Sequence, residues 1–486
     1  MANTDDYTAL KNGISWSAFE RFAVQGLQFI VFVFMARALS PTDYGLVGML
    51  TFFIVISQLI AEGGLPQAII RKLNRDETDL STAFFVNVTG GILLYLILFI
   101  SAPAISKFYE EPQLTALLRV MALSIPIQSS LVVHRAILTS KLDFKTQAKS
   151  TFVGALSSGL IGIYMAYRGY GAWAIVGLQL TNQIVTSITL WIVTEWHPTR
   201  RFSLNSFKSL YGFGYKLLVS NVFDSVYTSI YTLTIGKVFS AYALGCYTNA
   251  RQLGSISSEN LTRIVNRAAF PMFCSYQDDK QKLHDMIANY LKLTFFFIAP
   301  LMIGISSLSQ SMTIALIGSQ WLYTARLLRI ICVYFLFFPL NSINFMILEI
   351  NGRGDTYLKL KAINIAVGLG LLIILIPFGL SAVCLGMVAC GFISFAINAH
   401  ISGKSINLGF TRQLKLLLPT LISALVMGAT VYGVQFLVEG EWLQVCLGIA
   451  TGILIYGGLS MAFQTDLCSV ILKLLRKSGI PTNVES

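Results

Sequence analysis

Long apolar runs, each interrupted by a short polar or turn-forming stretch, recur along the whole chain. At about 20 residues per membrane crossing, they predict about fourteen helices. Six lie at 14–38, 44–62, 81–103, 114–139, 147–167 and 172–194. Six more lie at 211–238, 243–269, 286–308, 322–348, 358–377 and 382–402, and two close the series at 414–438 and 442–464. The predicted fold class is an all-α integral membrane protein. No stretch between spans could hold a soluble domain of about 50 residues. Beyond the last span, Leu467, Val470, Ile471, Leu474 and Leu475 alternate with Lys473, Arg476 and Lys477, the pattern of an amphipathic helix lying on the membrane surface.

The pattern repeats itself at a shift of about 200 residues. Arg37-Ala38-Leu39-Ser40 followed by Gly45 aligns with Lys237-Val238-Phe239-Ser240 followed by Gly245, and Leu117-Leu118-Arg119 aligns with Leu327-Leu328-Arg329. Asp143 before Lys145 has its counterpart in Asp355 before Lys359, and Gly171 to Gly177 in Leu380 to Gly386. Six spans separate the copies, so both have one orientation and an axis along the membrane normal relates them. The expected organisation is an N-terminal lobe over 1–208 (helices one to six) and a C-terminal lobe over 209–410 (helices seven to twelve). Helices thirteen and fourteen over 411–465 and a cytoplasmic amphipathic tail over 466–486 complete it. Two such bundles would enclose a cleft able to open to either side.

Charge sets the topology. Only 12% of residues are charged and 55% are hydrophobic, against about 25% charged in soluble domains, which excludes a water-soluble enzyme. The net charge of +12 is parcelled between apolar runs rather than gathered on one surface, so it does not point to nucleic acid. About 24 of the 35 Lys and Arg fall in one set of connections, which the positive-inside rule places in the cytoplasm together with both termini. Met1 to Gly13 lacks the basic region and short apolar core of a cleavable signal peptide, so the first span is expected to remain. Seven scattered cysteines and four scattered histidines show no metal-ligand spacing. Gly403-Lys404-Ser405 ends like a phosphate-binding loop, but Asn398 stands where its first glycine is required. The longest outer connection, about Ser309 to Trp321, holds no carboxylate. No enzyme and no cofactor are expected.

Ionisable side chains within spans cost roughly 2.5–3.5 kcal/mol each on insertion scales and face the interior of a bundle. The first helix carries Glu20, Arg21, Gln25 and Gln28; the seventh carries Lys216, Ser220, Asp224, Thr228 and Tyr231 at three-to-four spacing. Helix eight carries Arg251, Ser255, Glu259 and Arg263 one turn apart, and helix nine adds Lys292. A cleft with Arg21, Lys216, Arg251, Arg263 and Lys292 outweighs the carboxylates Glu20, Asp224 and Glu259, and would hold an anion such as a pyrophosphate. Tyr227, Tyr231, Trp16, Ser220, Asn221 and Asn260 are residue types that hold sugar rings, and Gln25 and Gln28 are expected among the polar residues of the cavity. The competing reading for each charge is a packing salt bridge between helices, and it weighs most on Glu20, Glu259 and Arg263. Arg135, Arg267 and Lys216 can also snorkel to an interface. Arg37, Lys237, Arg119 and Arg329 occupy equivalent positions and read as helix-end anchors.

Gly13, Trp16 and Gln28, followed by Ala36-Arg37-Ala38-Leu39-Ser40-Pro41-Thr42-Asp43-Tyr44-Gly45, resemble the opening of Wzx-type polysaccharide flippases of the multidrug/oligosaccharidyl-lipid/polysaccharide (MOP) exporter superfamily. The likeness extends through Phe108-Tyr109, Leu117-Leu118-Arg119 and Tyr170-Gly171-Ala172-Trp173, and is strongest to the colanic acid and exopolysaccharide exporter branch. It implies two six-helix lobes that move an undecaprenyl-pyrophosphate-linked oligosaccharide between leaflets of the bacterial inner membrane by alternating access. It also implies a cationic cavity, with Arg21 and Lys216 matching the family's basic first and seventh helices, and a lipid-tail groove supplied by helices thirteen and fourteen (414–464). Membrane lipids, a polysaccharide polymerase and chain-length machinery are the implied partners. Coupling to H+ or Na+ would use Asp224 and Glu259. Two other readings stand beside this one. A drug or small-cation exporter of the same superfamily would favour an acidic cavity, and a non-transporting scaffold of a polysaccharide assembly complex would tolerate neutral substitutions throughout the cleft.

Overall fold

Ser40 opens the second helix with a reciprocal cap. Its hydroxyl accepts from the Asp43 amide and its amide donates to the Asp43 carboxylate at 2.9 Å, while Pro41 fills the first turn. The stretch Leu39 to Gly45 is thus a helix start first of all. Asp76 and Asp79 form the same box ahead of the next long helix, and Asp143 and Asp279 cap two more.

The computed structural model describes residues 24–72 and 74–463, which hold no strand. Glu20, Arg21, Trp16, the amphipathic tail after residue 465 and the side chains of Tyr227 and Asn260 lie outside the described residues. In chain order the helices are α1 (Val24–Ala38), α2 (Pro41–Glu62), α3 (Leu65–Arg71), α4 (Glu77–Tyr109), α5 (Leu114–Met121) and α6 (Ser124–Ser140). Then follow α7 (Phe144–Tyr167), α8 (Ala172–Val193), α9 (Leu204–Val238), α10 (Ala241–Cys274), α11 (Lys280–Ser307) and α12 (Ser309–Ile317). The last five are α13 (Leu322–Ile350), α14 (Gly354–Leu375), α15 (Leu380–Ser402), α16 (Phe410–Val434) and α17 (Glu441–Phe463). Among the described residues, eleven spans are long and apolar enough to cross a membrane, which makes this a multi-pass membrane protein. Helices α9 and α10, of 35 and 34 residues, have the length but are too polar to join that set.

Two stretches fold differently from their sequence pattern. The apolar run after residue 113 is two helices, α5 and α6, parted at Ala122 and Leu123. Ser309 to Trp321, expected as a loop, forms α12 and a 3-10 turn, because Ala315, Ile317 and Trp321 bury their apolar side chains.

The chain divides into two compact units, Met1–Gly245 and Cys246–Ser486. Within the first, α7 packs on α8, α4 on α6 and α6 on α8; within the second, α14 packs on α15, α11 on α13 and α13 on α15. Thus α7 pairs with α8 as α14 does with α15, and α4 with α6 as α11 does with α13. By packing, α9 belongs to the first unit, against α2, α3 and α4.

Lipid is as apolar as leucine, so close packing and hydrogen bonds rather than hydrophobicity hold membrane helices together. In the first unit the repeated motif supplies the closest approach. A Cβ on Gly45 would overlap the Ala241 carbonyl, and one on Gly245 would overlap the Pro41 carbonyl. The contact is reciprocal at the repeat spacing, 41 with 245 and 45 with 241. Ser240 caps α10 as Ser40 caps α2, its hydroxyl accepting from the Ala243 amide at 3.1 Å. In the second unit a buried amide ladder does the joining. Asn344 and Gln413 exchange hydrogen bonds of 3.0 and 2.8 Å, Ser402 donates to Asn344 at 2.7 Å and Asn398 to Asn341 at 2.8 Å. These bonds tie α13, α15 and α16 at about 0.6–2 kcal/mol each.

Replacing Gly45 or Gly245 by leucine forces two backbones apart, at a cost of about 1–3 kcal/mol from overpacking. The purified variants are expected to melt several degrees below the parent. Gly26→Ala, where nothing lies within 4 Å, is expected to melt with the parent. Equal melting of Gly45→Leu and parent would show that the two helix starts do not touch.

Candidate functional site

Helix α9 is clamped at both ends and open between. Near its start Gly214 lies against the backbone of Gly63 and Gly64, whose φ angles of 57° and 70° turn the chain from α2 into α3. The Arg71 guanidinium sits 4.3 Å above the Phe213 ring. Near its end Gly236 meets Met49, Tyr109 and Leu244, and Lys237 Nζ pairs with Glu110 at 2.9 Å. That ammonium holds the Glu110 carboxyl below the usual carboxylate range.

Between the clamps the polar stripe of α9 stays accessible. Lys216, Ser220, Asn221 and Thr228 are exposed, Asp224 is half-buried and Tyr231 is buried. Among the described residues no carboxylate lies within 4.0 Å of Lys216. Asp224 is two turns further along, about 12 Å at 1.5 Å per residue. On α1, Gln25 and Gln28 are exposed, while Val24, Val31 and Met35 are buried and Val31 packs beneath Gly159 of α7. Among the described residues, exposure is thus shared by Gln25 and Gln28 on α1 and by Lys216, Ser220, Asn221 and Thr228 on α9, and does not extend to Tyr231.

The first unit also holds ionisable groups that the sequence did not single out together. Glu62, the half-buried last residue of α2, lies beside Gln128 and the Arg135 guanidinium. In the sequence it looks like an ordinary helix-end acid, and only the packing of α2 on α6 brings it to Arg135. His134 is fully buried between Trp191 and Trp196, with ring centroids 4.6 and 5.3 Å away, its Nδ1 3.1 Å from the Ser130 carbonyl. It is a packing residue. No group of His, Cys, Asp and Glu among the described residues could hold a metal ion.

In the second unit the stripe of α10 is split. Arg263 pairs with Glu259 one turn away at 3.1 Å, a pair within α10 rather than a bridge between helices. Arg251 is half-buried beside the phenols of Tyr247 and Tyr334. Lys292 on α11 is half-buried, with no carboxylate within 4.0 Å among the described residues. The four cations read as anchors are held as such where their partners are described. Besides the Lys237 pair, Arg119 lies 4.5 Å from the Phe99 ring and Arg329 5.3 Å from the Tyr432 ring.

Among the described residues, an all-helical chain with eleven apolar spans and polar stripes on selected helices defines a multi-pass membrane protein. The profile of the polysaccharide biosynthesis protein family matches residues 34–326, more than half of the chain, and the chain belongs to that family. It is 26% identical over 479 residues to the teichuronic acid biosynthesis protein TuaB of Bacillus subtilis strain 168, covering 97% of this chain and 98% of TuaB. It is 23% identical over 333 residues to the succinoglycan biosynthesis transport protein ExoT of Rhizobium meliloti strain 1021, covering 68% of this chain and 67% of ExoT. Its fold is similar to that of the lipid II flippase MurJ in an inward closed conformation, with a TM-score of 0.73 at 17% identity over 93% of this chain and 99% of that one. The resemblance drawn from the opening motif is thus confirmed at the level of family and fold.

The stripe on α9 can be mapped by cysteine labelling in a background freed of the seven native cysteines. Lys216→Cys and Ser220→Cys are expected to react with a membrane-impermeant maleimide at least tenfold faster than Tyr231→Cys, whose position is buried. Equal, slow reaction at all three would place the stripe in lipid.

Proposed function

We propose that this protein moves a lipid-linked oligosaccharide, carried on undecaprenyl pyrophosphate, from the inner to the outer leaflet of the bacterial inner membrane, by alternating access and for exopolysaccharide or lipopolysaccharide assembly. Family membership and relatives named for teichuronic acid biosynthesis and succinoglycan biosynthesis transport support the substrate class. The observation that carries the reading is the accessible polar stripe of α9, headed by a lysine with no carboxylate within 4.0 Å among the described residues. An ammonium left so in a membrane protein is costly and is stabilised once an anionic ligand arrives.

The physics of the substrate divides the work. A charged head group with its sugars cannot cross hydrocarbon unaided, since an isolated buried charge costs tens of kcal/mol in the limit of no compensation. The polyprenyl tail loses about 0.8 kcal/mol for every CH2 drawn into water, so it remains in lipid. The protein therefore has to shelter only the head group, for which Lys216 is the phosphate candidate of the first unit and Arg251 and Lys292 those of the second, while Arg21 keeps its sequence assignment. Exposed Gln25, Gln28 and Asn221, with Tyr227 and Tyr231, are the sugar-facing candidates, and Arg263 contributes less because Glu259 already neutralises it. Coupling to H+ or Na+ would fall to Asp224 rather than to Glu259 for the same reason. Glu20 keeps its sequence assignment as a cavity carboxylate. The protein is read as non-catalytic, with both termini in the cytoplasm as the distribution of basic connections supports. A polymerase and chain-length machinery would receive the product.

Replacing Lys216 by Ala, singly and with Arg21→Ala, is expected to cut polysaccharide export at least tenfold, with the lipid-linked repeat unit accumulating in the inner leaflet. Lys216→Arg is expected to retain most of the export. Normal export by a correctly inserted double variant would overturn the cationic-site mechanism.

A further inference from the structure

In the second unit a cavity of about 120 Å³ is lined by hydrocarbon side chains from four helices, among them Phe295 of α11, Phe337 and Leu340 of α13, Phe392 of α15, and Leu414 and Leu418 of α16. Phe392 meets Phe337 and Phe410 edge-on, with centroids 5.9 and 6.2 Å apart, and the Phe337 and Phe392 rings line the cavity. Phe392, Leu414 and Leu418 are exposed at the mouth, so the cavity opens between α15 and α16. No residue of α17 contributes to it.

Such a space does not fill with water. A comparable engineered apolar cavity of roughly 150 Å³ stays dry and takes up hydrocarbon, because water needs polar partners that the walls lack. Left empty, the lining forfeits its dispersion contacts. The groove sits early in the spanning helix α16 (Phe410–Val434), Leu414 and Leu418 lying about 6 and 12 Å from the helix start at 1.5 Å per residue. What fills an open apolar groove at that depth is a lipid chain.

The mouth also selects a head group. Arg412 and Lys415 are exposed in the first two turns of α16, and Lys415 lies next in sequence to Leu414 and one turn before Leu418. Arg412 donates to the Asn407 carbonyl at 2.5 Å, and no carboxylate lies within 4.0 Å of either cation among the described residues. Two cations at the end of an all-hydrocarbon groove complement a phosphodiester joined to an acyl chain. We propose that the groove binds one acyl chain of an anionic glycerophospholipid, with its phosphate held by Lys415 and Arg412. The lipid fills the seam between α16, which lies outside the repeat, and the helices of the second repeat.

Native mass spectrometry of the detergent-solubilised full chain tests this with dioleoyl-phosphatidylglycerol and dioleoyl-phosphatidylcholine. The parent is expected to retain one phosphatidylglycerol, and to retain phosphatidylcholine at least fivefold less. Leu418→Trp, which plugs the mouth, and the surface double variant Arg412→Gln/Lys415→Gln are each expected to lower phosphatidylglycerol occupancy at least fivefold. Ile453→Trp, an exposed position on α17, is expected to leave occupancy unchanged. Parent protein without the adduct, equal occupancy in parent and both groove variants, or equal retention of the two phospholipids would overturn the proposal. Displacement of phosphatidylglycerol by equimolar undecaprenyl pyrophosphate would also overturn it, assigning the groove to the tail of the transported lipid instead.

Discussion

Hydrocarbon offers a polar group no partner. From that constraint follows most of what this chain does. Backbone amides are satisfied within helices, and the amides freed at several helix starts are taken up by Ser40, Asp76, Asp143 and Asp279. In the second unit the buried amides of Asn344 and Gln413 are paired with each other, and each also donates to a carbonyl, whereas Asn87 in the first unit is buried without a hydrogen-bond partner. Where a helix nevertheless carries Lys216, Asn221 and Thr228 on an exposed face, the same constraint says that the face meets water or a polar ligand, which gives the stripe of α9 its functional weight.

The constraint also changes what holds helices together. With no gain from moving leucine out of lipid, stability rests on how closely backbones approach and on the bonds that cross between them. The reciprocal fit of Gly45 on Ala241 and Gly245 on Pro41 gives the duplicated motif a structural meaning. Each copy supplies one serine cap and one glycine, and each glycine accommodates the other copy's backbone. The contact of Gly214 with Gly63 and Gly64 does the same at the other end of α9. Between those two contacts Lys216, Ser220, Asn221 and Thr228 are exposed while Tyr231 is buried, so one stretch of α9 serves both packing and an open polar face.

The charges sort by their neighbours. Arg263 is neutralised by Glu259, Lys237 by Glu110, and Arg119 and Arg329 rest on aromatic faces. These hold helix ends or neighbouring turns. Lys216 and Lys292 have no such carboxylate among the described residues, and Arg251 is met by phenols. The chain belongs to the polysaccharide biosynthesis protein family, and cations in that state are the ones on which the proposed function relies.

Much of this was legible in the amino-acid order because the membrane imposes a single solvent on every span. Apolar length marked the helices, the spacing of Lys216, Asp224 and Tyr231 marked one helical face, and the shift of about 200 residues marked a recurring helix-start motif. Those are local or periodic properties, and periodicity survives folding. Partnership is not local. That Glu259 is consumed by Arg263 while Lys292 is not, that Glu62 lies beside Arg135, that Ser309 to Ile317 is a helix, and that Phe392 and Leu418 leave a hydrocarbon groove between them all depend on which helices pack together and at what distance. The chain order fixes the faces each helix can offer; only tertiary packing decides which of those faces are filled by protein and which stay open.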